Sequence, residues 1–171
     1  MSATDFLGLW LHILAVVAYG GATLAVVVMV IPAANGAADA ASRRSILVRA
    51  LRIYDPLAIA VLGIVVMTGA SNLTTYKAAM RGAFFERVGW LLVCKLSLAF
   101  MVIMVGTYIT FGLAHRIVRA EGLGDPPDDA WLTSMTRRLS IACILSLVLL
   151  ALTVWLGLEL GHPSMYAIPP A

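Results

Sequence analysis

The sequence predicts an all-α fold, an integral membrane bundle of four transmembrane helices in one domain over residues 1–171. Of the 171 residues, 61% are hydrophobic and 12% are charged, whereas soluble domains carry about 25% charged residues. The mean hydropathy is +0.95. Four apolar segments are also long enough to cross a hydrocarbon core of about 30 Å, which takes roughly 20 helical residues. We therefore expect a lipid bilayer to surround the protein.

The four predicted helices cover residues 7–31, 55–73, 88–114 and 139–161. Helices are expected rather than barrel strands because the segments do not alternate apolar and polar residues, and an open sheet would leave backbone groups unpaired in lipid. No Lys or Arg precedes the first segment, which is longer than the apolar part of a signal peptide. We expect this segment to remain in the mature protein.

Basic residues in the connections predict the orientation. The first and third connections together carry eight Lys and Arg residues, the second carries three and the two tails carry none. Because cytoplasmic connections collect positive charge, both termini are expected on the periplasmic side of a bacterial inner membrane. The net charge of +3 comes largely from these connections, and no nucleic-acid-binding signature accompanies it.

Two ionisable residues are predicted to share one level of the outer leaflet. His12 lies about six residues, roughly 9 Å, inside the first helix, and Lys95 enters the third helix to a similar depth. Charged residues inside a span usually face the bundle interior, so both side chains are expected to point inward. The neighbouring helix ends bring further residues to this level: Met67, Ser71, Asn72, Trp155 and Glu159.

Small residues near His12 indicate room for a close neighbour. Ala15, Tyr19 and Gly20 follow His12 at helical spacing on the same side of the first helix. Small residues in a span let another helix or a flat ligand approach. A similar stripe on the second helix consists of Gly63, Met67 and Ala70.

Structural roles are the alternatives for these polar residues. His12 can hydrogen-bond a backbone carbonyl, and Lys95 can reach the headgroups or pair with Glu159, which on its own is expected to be solvated. Cys94 and Cys143 are expected at different depths, too far apart for a disulfide.

Three segments carry a family resemblance. The first is His12 with VVAYGG at 16–21, the second is RALRIY at 49–54 with Pro56 and VLGIVVMTG at 61–69, and the third is GWLLVCKL at 89–96. Together they cover about the first 115 residues and resemble the CopD-like membrane family and the related HemJ-type protoporphyrinogen oxidases. The HemJ-like branch implies haem b and porphyrinogen oxidation, with roles for His12 and Lys95. The CopD-like branch implies copper handling.

The leading hypothesis is a haem b-binding membrane protein in electron transfer or porphyrin redox chemistry, with an oxidoreductase of the protoporphyrinogen oxidase type as its enzymatic form. His12 would be an axial ligand of the haem iron, as a neutral imidazole can be. Lys95 would be the second ligand or the cation that pairs with a haem propionate. Tyr19, Gly20 and Met67 would complete the binding site.

Two alternatives belong to other classes. A copper-handling protein would use His12 with Met67, Met101 and Met104, because imidazole and thioether groups bind copper. A cofactor-free accessory subunit would only pack its helices against a larger membrane complex. A homo-oligomer and a membrane redox partner are compatible with these hypotheses.

Overall fold

The computed structural model describes residues 3–80, 84–121 and 128–160, and no β-strand occurs in these ranges. The helices are α1 (Ala3–Ala25), α2 (Ile31–Asn35), α3 (Ala40–Met80), α4 (Phe84–Thr107), α5 (His115–Glu121) and α6 (Asp129–Leu160). Two π-helical stretches, Val26–Val30 and Tyr108–Ala114, connect α1 to α2 and α4 to α5. These described parts therefore form four continuous helical rods.

Each rod contains a stretch that is long and apolar enough to span a membrane. These spans are Asp5–Asn35, Ala40–Thr74, Gly89–Ala120 and Asp129–Leu160. Large apolar side chains face outward along them, including Trp90 at 78% exposure and Met67 at 74%. Exposed apolar surface of this extent is unfavourable in water and is typical of a surface that contacts a membrane. The structure thus confirms the predicted all-α bundle, and the protein is a multi-pass membrane protein.

The helices extend beyond the predicted segments. Helix α3 begins at Ala40 rather than at residue 55, α6 begins at Asp129 rather than at 139, the first rod reaches Asn35 and the third reaches Glu121. The prediction followed the apolar runs, which mark the lipid crossing and not the helix ends. Pro56 also lies inside α3, since neighbouring helices and local adjustments can satisfy the backbone groups that a proline frees in a membrane helix.

Polar contacts fix the start of α3. The Ser42 backbone N–H donates to Asp39 Oδ1 over 2.7 Å, and the Ser42 hydroxyl donates to Asp39 Oδ2 over 2.9 Å. Asp39 is therefore the N-cap of the helix. The Arg43 guanidinium donates to Asn35 Oδ1 over 3.1 Å and to Thr133 Oγ1 over 3.0 Å. Arg43 thereby joins the first and fourth rods to the second.

The π-helical stretch in the first rod keeps one face directed inward. Tyr19, Thr23 and Val26 are buried at ordinary helical spacing, and the next buried residue, Ile31, follows after five positions instead of three or four. A π turn adds one residue to the helical turn and so restores the inward face. Ala34, which has no exposed surface, continues that face.

The tightest part of the described core lies at the end of the bundle where α3 and α6 begin. Its large side chains are at most 2% exposed and include Leu47, Leu51, Ile109, Leu113 and Leu139. His12 and Lys95 lie towards the opposite end, where both side chains are only partly buried. The candidate polar site is therefore outside the most densely packed region.

Candidate functional site

His12 of α1 is hydrogen-bonded to Thr68 of α3. The distance between His12 Nδ1 and Thr68 Oγ1 is 2.9 Å. The Thr68 hydroxyl in turn donates to the Ile64 carbonyl over 2.6 Å, with the Val65 carbonyl at 3.3 Å. A hydroxyl that bonds back to the preceding turn is common for threonine in helices. The result is a fixed hydroxyl oxygen facing the imidazole.

A glycine lets the imidazole approach the backbone of α3. A Cβ atom at Gly69 would lie 3.2 Å from His12 Cε1 and 3.8 Å from His12 Nδ1. The shorter distance is tighter than ordinary van der Waals contact, so a larger residue would displace the ring. The Nδ1–Cε1 edge of His12 is thus the edge that faces α3.

Lys95 of α4 is the charged neighbour of this imidazole. The positive charge of Lys95 acts on His12 and disfavours its protonated form. The Lys95 Nζ atom lies 3.1 Å from the position that a Cβ would occupy at Gly157 of α6. Glu159, the carboxylate expected to pair with Lys95, is exposed. Four helices therefore meet around His12 and Lys95.

The other residues proposed from the sequence are spread over the bundle. Tyr19 is 1% exposed and lies two helical turns from His12, while Gly20 faces Leu150 of α6. Met67, Met101 and Met104 are 74%, 52% and 54% exposed and face outward. The structure therefore brings Lys95 to His12 but not Tyr19 or the three methionines.

A buried hydroxyl cluster, formed by Tyr19, Thr23, Tyr54 and Ser146, was not predicted. Tyr19 Oη and Ser146 Oγ share a hydrogen bond of 2.9 Å, and Thr23 Oγ1 lies 3.2 Å from Tyr54 Oη. The Thr23 hydroxyl also donates to the Tyr19 carbonyl over 2.8 Å. All four residues are buried. Their spacing along inward helix faces was the signal that could have indicated this cluster.

The site offers a limited set of metal ligands. Within residues 3–80, 84–121 and 128–160, no group of three or more His, Cys, Asp or Glu residues could hold a metal ion. Cys94 and Cys143 are free thiols. The chemistry of the site is that of one oriented imidazole beside one ammonium group, with hydroxyl and glycine neighbours.

The fold and this site define a small polytopic membrane protein with a polar centre between its four spans. The family described as CopD, copper resistance protein D, matches residues 48–156, which is more than half of the chain. The chain belongs to the CopD family. The match contains Thr68, Gly69 and Lys95 and begins after His12.

The other comparisons add no relative. No curated protein and no solved structure matches the chain. The resemblance to the HemJ-type oxidases has no counterpart among these findings, so the CopD branch is the one that the comparisons support.

Proposed function

We propose that the protein handles copper in the membrane and binds a copper ion, as cargo, at His12. The observation that carries this proposal is the match to the family described as copper resistance protein D. The haem b hypothesis, with its electron-transfer or oxidoreductase chemistry, lacks support of this kind. Copper handling therefore replaces it as the leading function.

The geometry around His12 is compatible with a copper cargo. Imidazole nitrogen is a suitable copper ligand, and His12 is partly buried between spans instead of facing lipid. A site through which an ion passes must hold that ion weakly enough to release it. One imidazole, without a dense set of anionic ligands, meets this requirement.

The methionines do not belong to the proposed ligand set. Met67, Met101 and Met104 are each more than half exposed on outward faces of the rods. Of the four residues in the copper hypothesis, His12 is the one that lies between the helices. The proposed copper ligand is therefore His12, with Lys95 as its charged neighbour.

The proposed location is a bacterial inner membrane with both termini on the periplasmic side. Four spans return the chain to the side from which it started. Placing the rod ends that contain Arg43 and Arg116 on the cytoplasmic side follows the positive-inside rule. This orientation puts the His12 site in the periplasmic half of the bilayer.

Copper binding by purified protein tests the proposal. Cu(I) would be titrated into detergent-solubilised protein against a chromogenic Cu(I) chelator, for the wild type, His12→Ala and the control His115→Ala. We expect the His12 variant to bind Cu(I) at least about 10-fold more weakly, because losing even the hydrogen-bond partner of a metal ligand commonly costs 10- to 100-fold in metal affinity. His115, exposed and outside the site, should be replaceable without effect.

The same preparation distinguishes the alternatives. Equal Cu(I) affinity of the wild type and His12→Ala would contradict the copper site. A reduced-minus-oxidised spectrum with a haem Soret band that His12→Ala abolishes would restore the haem b hypothesis. Co-purification with larger membrane proteins, with neither copper nor a chromophore, would indicate an accessory subunit.

A further inference from the structure

We propose that Thr68 is a positioning residue that holds neutral His12 in the tautomer with its proton on Nδ1, leaving Nε2 as the metal-binding nitrogen. This inference deepens the proposed function and, as far as the metal is concerned, rests on it. The protonation of the free imidazole can be tested independently of copper.

The direction of the hydrogen bonds follows from proton counting. A threonine hydroxyl has one proton to donate. The 2.6 Å separation between Thr68 Oγ1 and the Ile64 carbonyl oxygen is a short O–H···O hydrogen bond. If the proton pointed elsewhere, two oxygen lone pairs would face each other at this distance. The Thr68 proton is therefore committed to the backbone carbonyl.

Thr68 Oγ1 can then only accept a hydrogen bond from His12, and the Val65 carbonyl, a further partner of the imidazole, can likewise only accept. The 2.9 Å distance between His12 Nδ1 and Thr68 Oγ1 requires one proton between the two atoms. Because the hydroxyl proton is committed, that proton belongs to Nδ1. In a neutral imidazole the other nitrogen then carries a lone pair.

This arrangement has the form that metal-binding histidines use. The ligand nitrogen of such a histidine is determined by the hydrogen bond that the other ring nitrogen donates. Gly69 reinforces the same orientation, because its missing side chain lets the Nδ1–Cε1 edge rest against α3. Thr68 would thus act on the metal through His12, without contacting the metal itself.

The test is ¹⁵N NMR of histidine-labelled, copper-free protein in detergent. Spectra would be recorded at about pH 8.5, roughly two units above the usual His pKa of about 6.5, with His12→Gln to assign the signals. The wild type is expected to show a protonated Nδ1 and an unprotonated Nε2. Thr68→Ser, which keeps the hydroxyl, should preserve this pattern, and Thr68→Val, which removes it, should shift the population towards protonated Nε2.

Two outcomes would overturn the inference. One is a protonated Nε2 in the wild type, which requires no variant to detect. The other is an unchanged Nδ1–H tautomer in Thr68→Val, or in Thr68→Ala if the valine variant does not fold.

A copper titration separates this inference from the proposed function. Thr68→Val is expected to weaken Cu(I) binding by about 10- to 100-fold, the usual cost of losing the partner of a ligating histidine, while Thr68→Ser stays within a few-fold of the wild type. If the NMR result holds and the wild type binds no Cu(I), the copper function fails and the role of Thr68 stands. If copper binds at His12 but Nε2 carries the proton in the wild type, the copper function stands and the role of Thr68 fails.

Discussion

The positive charge of Lys95 would oppose a copper ion bound at His12. Unit charges a few Å apart interact by about 4 kcal/mol at an effective dielectric constant of 20, and less as the distance grows. Lys95→Met is therefore expected to tighten Cu(I) binding by about 10-fold or more, as measured by chelator competition. Lys95→Arg keeps the charge and should bind as the wild type does.

The same pair of variants separates copper from haem. A haem held through its propionates would lose a cation in Lys95→Met and be retained less well. Weaker cofactor retention in Lys95→Met, together with a Soret band, would contradict the copper proposal and favour haem b.

Tyr19 and Ser146 make a hydrogen bond of 2.9 Å inside the bundle. Tyr19→Phe is expected to destabilise the protein by about 1 kcal/mol, because it removes this bond and leaves a buried hydroxyl on Ser146. A double-mutant cycle with Ser146→Ala should give a coupling energy of about 0.6 kcal/mol, the average for hydrogen bonds between membrane helices. The unfolding free energies of the four proteins in this cycle can be measured by SDS titration in mixed micelles.

Tyr108 provides the control for that cycle. Its side chain is 48% exposed, so Tyr108→Phe should leave the unfolding free energy within about 0.5 kcal/mol of the wild type. A coupling energy near zero between Tyr19 and Ser146 would show that the bond contributes nothing to stability.

Gly106 allows Tyr19 and Leu62 to approach α4. A Cβ at this position would lie 2.8 Å from both Tyr19 Oη and Leu62 Cδ1, closer than real Cβ atoms come. Gly106→Ala is expected to destabilise the bundle by about 1–3 kcal/mol through overpacking. Gly21→Ala is the matched control, since nothing lies within 4 Å of its Cβ position. Equal stability of the two variants in SDS unfolding would contradict the close contact of Tyr19 and Leu62 with Gly106.

At the scale of the helix, Asp39 should make the stability of α3 depend on pH. The hydrogen bonds from the Ser42 backbone N–H and hydroxyl favour the carboxylate and hold the pKa of Asp39 below its usual 3.8. A lowered pKa in the folded state gives stabilisation that is complete above the usual pKa and disappears as the pH falls through the lower value. This cap should therefore weaken below about pH 4.

Comparison of the wild type with Asp39→Ala tests the cap. The wild type should be more stable at neutral pH, and the difference should shrink as the pH falls below about 4. Helicity by circular dichroism during SDS unfolding is a suitable measurement. A difference that stays constant over the whole pH range would show that the carboxylate charge is irrelevant to the cap.

The sequence predicted the four spans because a long apolar run is a local property of the chain. It did not predict that α3 begins at Ala40, since residues 40–54 contain several Arg and Ser residues that interrupt the apolar pattern. Asp39 followed by Ser42 was the available signal for an earlier helix start. Helix ends depend on such caps and on contacts like that of Arg43 with Thr133, which hydropathy does not reveal.

The sequence predicted how deep the site residues lie in the membrane, but not which residues contact each other. Counting residues from the helix ends placed His12 and Lys95 at one level, and the charge of Lys95 acts on His12 in the structure. The partner on α3 depends instead on the rotation of that helix about its axis. Met67 was chosen from the sequence, whereas the neighbouring Thr68 turns inward to His12 and Met67 turns outward.

At the scale of the whole molecule, the number of spans and the charge of the connections make separate predictions. Four spans require Ala3 and Glu159 to lie on the same side of the membrane. The distribution of Arg residues predicts that this side is the periplasm and that Ala38, in the first connection, lies in the cytoplasm. Only the second statement depends on the positive-inside rule.

Cysteine labelling in intact cells tests both statements. In a Cys94→Ser, Cys143→Ser background, a membrane-impermeant maleimide should label Ala3→Cys and Glu159→Cys in whole cells, and Ala38→Cys only after lysis. The exact inverse would leave four spans intact and reverse the orientation, which would move the His12 site to the cytoplasmic half of the bilayer. Labelling of Ala3→Cys and Glu159→Cys on opposite sides would contradict the four-span bundle itself, because an even number of crossings cannot separate the two ends.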